Sequence, residues 1–197
     1  MEILVEEFKN GKVVLICPGK DGSVDGFGDK YKSLADKIVN KKLAAVVRIS
    51  NPNTINTDRE INLRNAIEYI QKNSTNIAGS EQIELTIIGV SAGGRSAALL
   101  SSKYIEIKNM LLIEPAKPFD DEKMKDALSK YVGNIGIIVG SGSDSLGIEV
   151  GEVYKRMIGE NGKVILTEVE NCDHHFSDPK NSELLENWIM DRLKSWL

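Results

Sequence analysis

The stretch Gly89-Val90-Ser91-Ala92-Gly93-Gly94-Arg95-Ser96 follows an apolar run, Ile83–Ile88, and precedes Ala97-Ala98-Leu99-Leu100. A strand that turns through glycines into a helix either presents a nucleophile or cradles a phosphate. Both patterns are written here. Gly89 to Gly93 matches G-x-S-x-G, in which a serine sits on a strained strand-to-helix turn with its hydroxyl pushed into solvent. Gly89 to Ser96 matches the phosphate loop G-x-x-x-x-G-K-[ST] except at Arg95, where lysine belongs.

The two chemistries make different demands on the rest of the chain. A phosphate loop needs the lysine ammonium at the terminal phosphates and a partner strand ending in aspartate to hold magnesium. Here the arginine replaces the lysine, the following strand ends in Glu114-Pro115, and the turn comes after three other strand candidates. A nucleophilic serine needs an acid and then a histidine, in that order, each past the end of a later strand. The apolar run Ile135–Val139 leads into "GSGSDSLG", which carries Asp144, and Lys163–Val169 leads into "ENCDHHFSDP", which carries His174 and His175. These are the only two histidines of the chain, so the nucleophile reading is favoured.

Positioning those residues requires a sheet whose strands all end on one edge. Strand candidates fall at Ile3–Glu7, Val13–Cys17, Leu43–Ile49, Ile83–Ile88, Met110–Ile113, Ile135–Val139 and Lys163–Val169. Between them, residues recur at helical spacing: Tyr31, Leu34, Ala35 and Ile38; Leu63, Ala66, Ile67 and Ile70 after a capping box at Thr57-Asp58-Arg59-Glu60; Asp121 to Tyr131; Ile148, Val153, Tyr154 and Met157; and Leu184 to Trp196. Most strands read as continuous apolar runs, the pattern of a parallel sheet covered on both faces. The expected fold is a doubly wound, mostly parallel α/β sheet with helices on both faces, in one domain spanning residues 1–197.

With a G-x-S-x-G elbow, then Asp144, then His174 on successive strand ends, the sequence resembles the α/β-hydrolase superfamily over essentially its whole length. The resemblance implies Ser91 as nucleophile, His174 as its base and Asp144 as the acid that orients the imidazole. "CDHHF" fits the family's tail with His174 as the base and His175 in the bulky place. Asp173 is an alternative acid but adjoins the base; Glu114 and Asp120 are further candidates, because some members carry the acid after the preceding strand. The oxyanion donors carry over to the backbone N–H groups of Ala92 and of Lys20, in Pro18-Gly19-Lys20. The family often has histidine before that glycine, and proline stands here instead.

Composition bounds the remaining classes. Of 197 residues, 41% are hydrophobic and 27% charged, which excludes disordered, collagen-like and membrane-spanning chains. A net charge of -4 without a basic cluster implies neither nucleic acid nor an anionic membrane as partner. The acidic N-terminus lacks a signal-peptide plan, so a cytoplasmic location is expected. Cys17 and Cys172 stand in no metal or disulfide spacing, and no metal or organic cofactor is called for. Pro115 to Asn134 has room for about one helix, so no cap domain and an open site are expected. The rims Lys20–Asp29, Ser50–Asn56 and Pro115–Phe119 are not strongly apolar, which suits small or water-soluble esters or thioesters as substrates. The alternatives are a non-catalytic binding protein with this fold and a nucleotide-binding protein using the degenerate phosphate loop.

Overall fold

The computed structural model describes residues 1–53, 60–118, 121–142, 147–160 and 162–197. The described strands are β1 (Ile3–Glu6), β2 (Lys12–Cys17), β3 (Ala45–Ile49), β4 (Glu84–Val90), β5 (Ile107–Ile113), β6 (Asn134–Gly140) and β7 (Lys163–Val169). They form one sheet in the order β1-β3-β2-β4-β5-β6-β7. β1 runs antiparallel to β3, and all other pairings are parallel.

The apolar runs have a direct cause in this layering. In β2, Val13, Leu15 and Cys17 face one helical layer while Val14 and Ile16 face the other, and all five are buried. β6 repeats the division with Ile135, Ile137 and Val139 against Ile138. A parallel strand covered twice has no solvent face, so its pattern does not alternate. Helices α1 (Lys30–Asn40) and α7 (Pro179–Trp196) supply one layer through Leu34, Ile38, Trp188 and Leu193. The other layer is α2 (Ile61–Lys72), α3 (Ser74–Ala78), α4 (Ala92–Leu100), α5 (Glu122–Lys130) and α6 (Gly147–Met157).

The expected strands and helices are present. α3 adds a five-residue element too short to show a helical period. Of the expected capping box, Thr57, Asp58 and Arg59 lie outside the described residues, and Glu60 stands just before α2. Between β5 and β6 the described residues contain α5 alone, so no inserted cap covers that edge among them. A polar chain crosses the sheet: buried Asn109 donates from Nδ2 to buried Thr86 Oγ1 at 3.0 Å, and half-buried Asn134 donates from Nδ2 to Asn109 Oδ1 at 2.7 Å.

The site edge is set by how the chain winds. β2 has β3 on one side and β4 on the other, so the winding reverses there and leaves a crevice past the C-terminal ends of β2 and β4. Cys17 and Gly89 are in register at that end, which brings the residues after β2 beside the turn after β4.

Arg48, on β3 and only 4% exposed, ties the edge to the residues after β2. Its guanidinium donates to the carboxylates of Glu6 and Asp25 and to the carbonyl of Val24. Burial alone would lower its pKa, but the hydrogen bonds to Glu6 and Asp25 outweigh this and hold it above the ordinary arginine value. Removing one partner of a fully buried pair costs ~3–5 kcal/mol. Glu6 and Asp25 keep solvent contact, so Arg48→Ala is expected to cost about 2 kcal/mol, or about 4–8 °C in Tm for a chain of this size, read by thermal unfolding.

Candidate active site

Ser91 is the residue on which β4 ends and α4 begins, with φ 50° and ψ -114°. Such a backbone costs of order ~1–3 kcal/mol for a residue with a Cβ, so its surroundings must hold it. They do so from three directions. The Ser91 N–H donates to the Ile113 carbonyl at 2.9 Å, and its carbonyl accepts from Ala116 N–H at 3.0 Å and Arg95 N–H at 3.1 Å. The turn is also tight by composition. A Cβ at Gly93 would run into the carbonyl oxygens of Cys17 and Pro18, and one at Gly89 would lie 2.7 Å from Gly94 Cα. Glycine is therefore required for α4 to start so close to β2.

The residues after β2 close on the serine. A Cβ at Gly19 would stand 3.3 Å from Ser91 Cβ, which places this backbone against the serine side chain. Gly22 N–H donates to the Gly19 carbonyl at 3.0 Å across a turn with Asp21 at φ 59°. Among the described residues nothing accepts from the Lys20 N–H. Ala92 opens α4, so its N–H is one of the first-turn donors without a partner inside the helix.

Two buried asparagines, Asn51 and Asn62, pin this loop. Asn51 Nδ2 donates to the Pro18 carbonyl at 2.9 Å, and Asn51 Oδ1 accepts from Asn62 Nδ2 at 2.9 Å. The Asn51 backbone also pairs with Asp21 and Gly22. "SNPN" reads as a polar rim; nothing in its composition marks one asparagine as buried.

His174 lies in the turn between β7 and α7, and its Nδ1 is 3.3 Å from Oε2 of Glu114. Glu114 follows β5 directly, has φ 44°, and is fully buried; its Oε1 accepts from Gly140 N–H at 2.5 Å. Glu114 is thus the carboxylate that the described residues bring to the imidazole. It was a secondary candidate in the sequence, where nothing distinguishes a glutamate aimed inward from one on the surface. Asp144 and Asp120 lie outside the described residues. His175 is exposed and makes an edge contact with His174, ring centroids 5.1 Å apart.

Asp173 shapes the histidine turn instead of serving the imidazole. Its Oδ1 accepts from the backbone N–H of His175 at 2.8 Å and of Ser177 at 3.1 Å. The hydrogen bond from Ser177, with that from His175, holds its pKa below the ordinary carboxylate value.

The remaining candidates have ordinary roles. Arg95 is half-buried, and its guanidinium pairs with Asp121 at 2.7 Å. α4 begins at Ala92, so Gly94, Arg95 and Ser96 lie inside the helix and leave no loop to wrap a phosphate. Both thiols are buried, with Cys17 pushed up to about 12 and Cys172 to about 11 chiefly by burial, as befits unreactive cysteines. Among the described residues no group of three or more His, Cys, Asp or Glu side chains is placed to hold a metal ion, and no helix is long and apolar enough to cross a membrane.

The depressed pKa of Asp173 gives a signed expectation. A carboxylate whose native pKa lies below its unfolded value stabilises the fold above the unfolded value, and that contribution fades as pH falls through the native one. Asp173→Ala should therefore lower Tm near neutral pH, with the difference from the parent shrinking as pH falls through the lower carboxylate range, measured by calorimetry across that series.

No protein-family model matches the chain, nor does any curated protein sequence. Solved structures do match in shape. Est1E from Butyrivibrio proteoclasticus, with ferulic acid bound, aligns over 99% of this chain and 94% of its own at TM-score 0.74 and 13% identity. A dienelactone hydrolase from Anabaena variabilis aligns over 96% of this chain and 89% of its own at TM-score 0.73 and 16% identity. A monoacylglycerol lipase from Paleococcus ferrophilus aligns over 100% of both chains at TM-score 0.73 and 12% identity. Together with the strand order and the strand-to-helix turn at Ser91, these likenesses identify the architecture: the chain has the α/β-hydrolase fold.

Proposed function

We propose that the protein is a serine hydrolase of small carboxylic esters or thioesters, with Ser91 as nucleophile, His174 as base and Glu114 as the acid. The observation that carries this reading is the buried Glu114 carboxylate on His174 Nδ1, across the sheet edge from a serine held at positive φ. The names of the similar structures, an esterase, a dienelactone hydrolase and a monoacylglycerol lipase, agree with ester chemistry.

Each group has a task that its surroundings suit. Serine is weakly nucleophilic near neutral pH, so His174 Nε2 takes the Oγ proton as Oγ bonds to the substrate carbonyl carbon. Glu114 accepts Nδ1–H, which fixes the tautomer that leaves Nε2 free, and it stabilises the imidazolium that forms. The carbonyl oxygen gains negative charge opposite the N–H groups of Lys20 and Ala92. His174 then gives its proton to the leaving oxygen or sulfur as that bond breaks, and water resolves the acyl-enzyme by the same steps. Pinning of Pro18 by Asn51 keeps the donor loop in place without substrate.

A fluorophosphonate tests the assembly directly, because Ser91 Oγ displaces fluoride from phosphorus only when its base is in place. Intact-mass analysis should show one adduct on the parent and none on Ser91→Ala. Glu114→Gln, which keeps shape and removes charge, should slow labelling by roughly 10³–10⁴. Asp144→Ala is run beside it: an equal loss there, with Glu114→Gln labelling normally, would move the acid to Asp144. No adduct on folded parent protein would sink the hydrolase reading.

A further inference from the structure

A cleft of ≈ 80 Å³ opens beside His174 on the face covered by α1 and α7. Val90, which directly precedes Ser91, lies in its floor with Ile88 and Ile113, and Leu34, Leu185 and Ile189 line its sides. We infer that this cleft receives the leaving group of the substrate, a neutral apolar alcohol or thiol of about three or four carbons; the inference rests on the hydrolase reading above.

Direction along the sheet decides which half of the ester goes there. Ser91 stands at the end of β4. The donor loop of Lys20 approaches from the β2 side, and His174 from the β5–β7 side, where it meets Glu114. The carbonyl oxygen must point to the donors, whereas the leaving atom must lie within hydrogen-bond reach of the histidine that protonates it. The cleft runs between α1, through Tyr31 and Leu34, and α7, over β4 and β5; His174 lines it and neither Lys20 nor Ala92 does, which makes it the leaving-group side.

Size and chemistry narrow the group. An apolar cavity of about 150 Å³ takes a benzene ring of six carbons, so about half that volume holds roughly three or four. The charged residues in the lining are Lys30, which is solvent-exposed, and Glu186, which is paired with Lys37 at 2.5 Å, so neither is buried and waiting for a counter-charge. None of this was legible in the surface loops, because much of the apolar lining comes from inward-facing positions of two helices and two strands.

The test separates the two halves of the ester. With acetate esters of methanol through hexanol, kcat/KM should climb about fourfold per methylene to the propyl or butyl ester and then level or fall. Lengthening the acyl group at fixed methanol should give no such optimum. Leu185→Trp, at a half-buried position, should cut the butyl-to-methyl ratio of kcat/KM about tenfold, and Leu185→Ala should move the optimum to longer alcohols. A ratio unmoved in both variants, or moved only in the acyl series, overturns the assignment while esters still turn over. Absence of both turnover and fluorophosphonate adduct overturns the hydrolase reading with it.

Discussion

The arrangement depends on one close approach, that of the first turn of α4 to the carbonyls that end β2. Gly93 lies where any Cβ would meet the Cys17 and Pro18 oxygens. Because helix and strand touch there, Ser91 has no room to relax from its left-handed backbone, and Gly19 is brought against its side chain. The strained turn at Ser91 and the loop packed against it are thus one packing solution. The strain is offset by the sheet on one side, through Ile113, and by the chain after Glu114 on the other, through Ala116.

The second constraint is a carboxylate with no access to water. Glu114 is buried in the β5 exit and satisfied by a backbone N–H from Gly140 and by the imidazole of His174. A buried carboxyl group of this kind is tolerated only when its oxygens are hydrogen-bonded. The same requirement that makes it costly makes it a good orienter, since a histidine that moved away would leave an oxygen unpaired. The turn carrying His174 is itself shaped by Asp173, so Glu114 and His174 are each held in place by hydrogen bonds from backbone N–H groups.

What could be read from sequence follows from which forces are periodic. The strands and long helices announce themselves because burial on both faces, or on one stripe, repeats along the chain; β2 and α7 are clear cases. The elbow is legible because only glycine tolerates its contacts. The identity of the carboxylate facing His174 is not, because Glu114 acquires its role from the pairing of β5 with β6 and from a histidine sixty residues on. Asn51 and Asn62 escape for the same reason, and so does the cleft lined by Leu34 and Leu185, whose residues look like ordinary core.

The chain of Thr86, Asn109 and Asn134 carries a consequence for how the sheet assembles. Strands apolar on both faces gain little discrimination from hydrophobic pattern alone, because sliding one along its neighbour still buries apolar side chains. An amide left unpaired inside costs ~1–3 kcal/mol, however, and a slip between β4 and β5 or between β5 and β6 would strand at least one. The three polar side chains act as index marks that a greasy central sheet otherwise lacks. By keeping β4 and β5 in step, they also keep the ends that carry Ser91 and Glu114 level with each other.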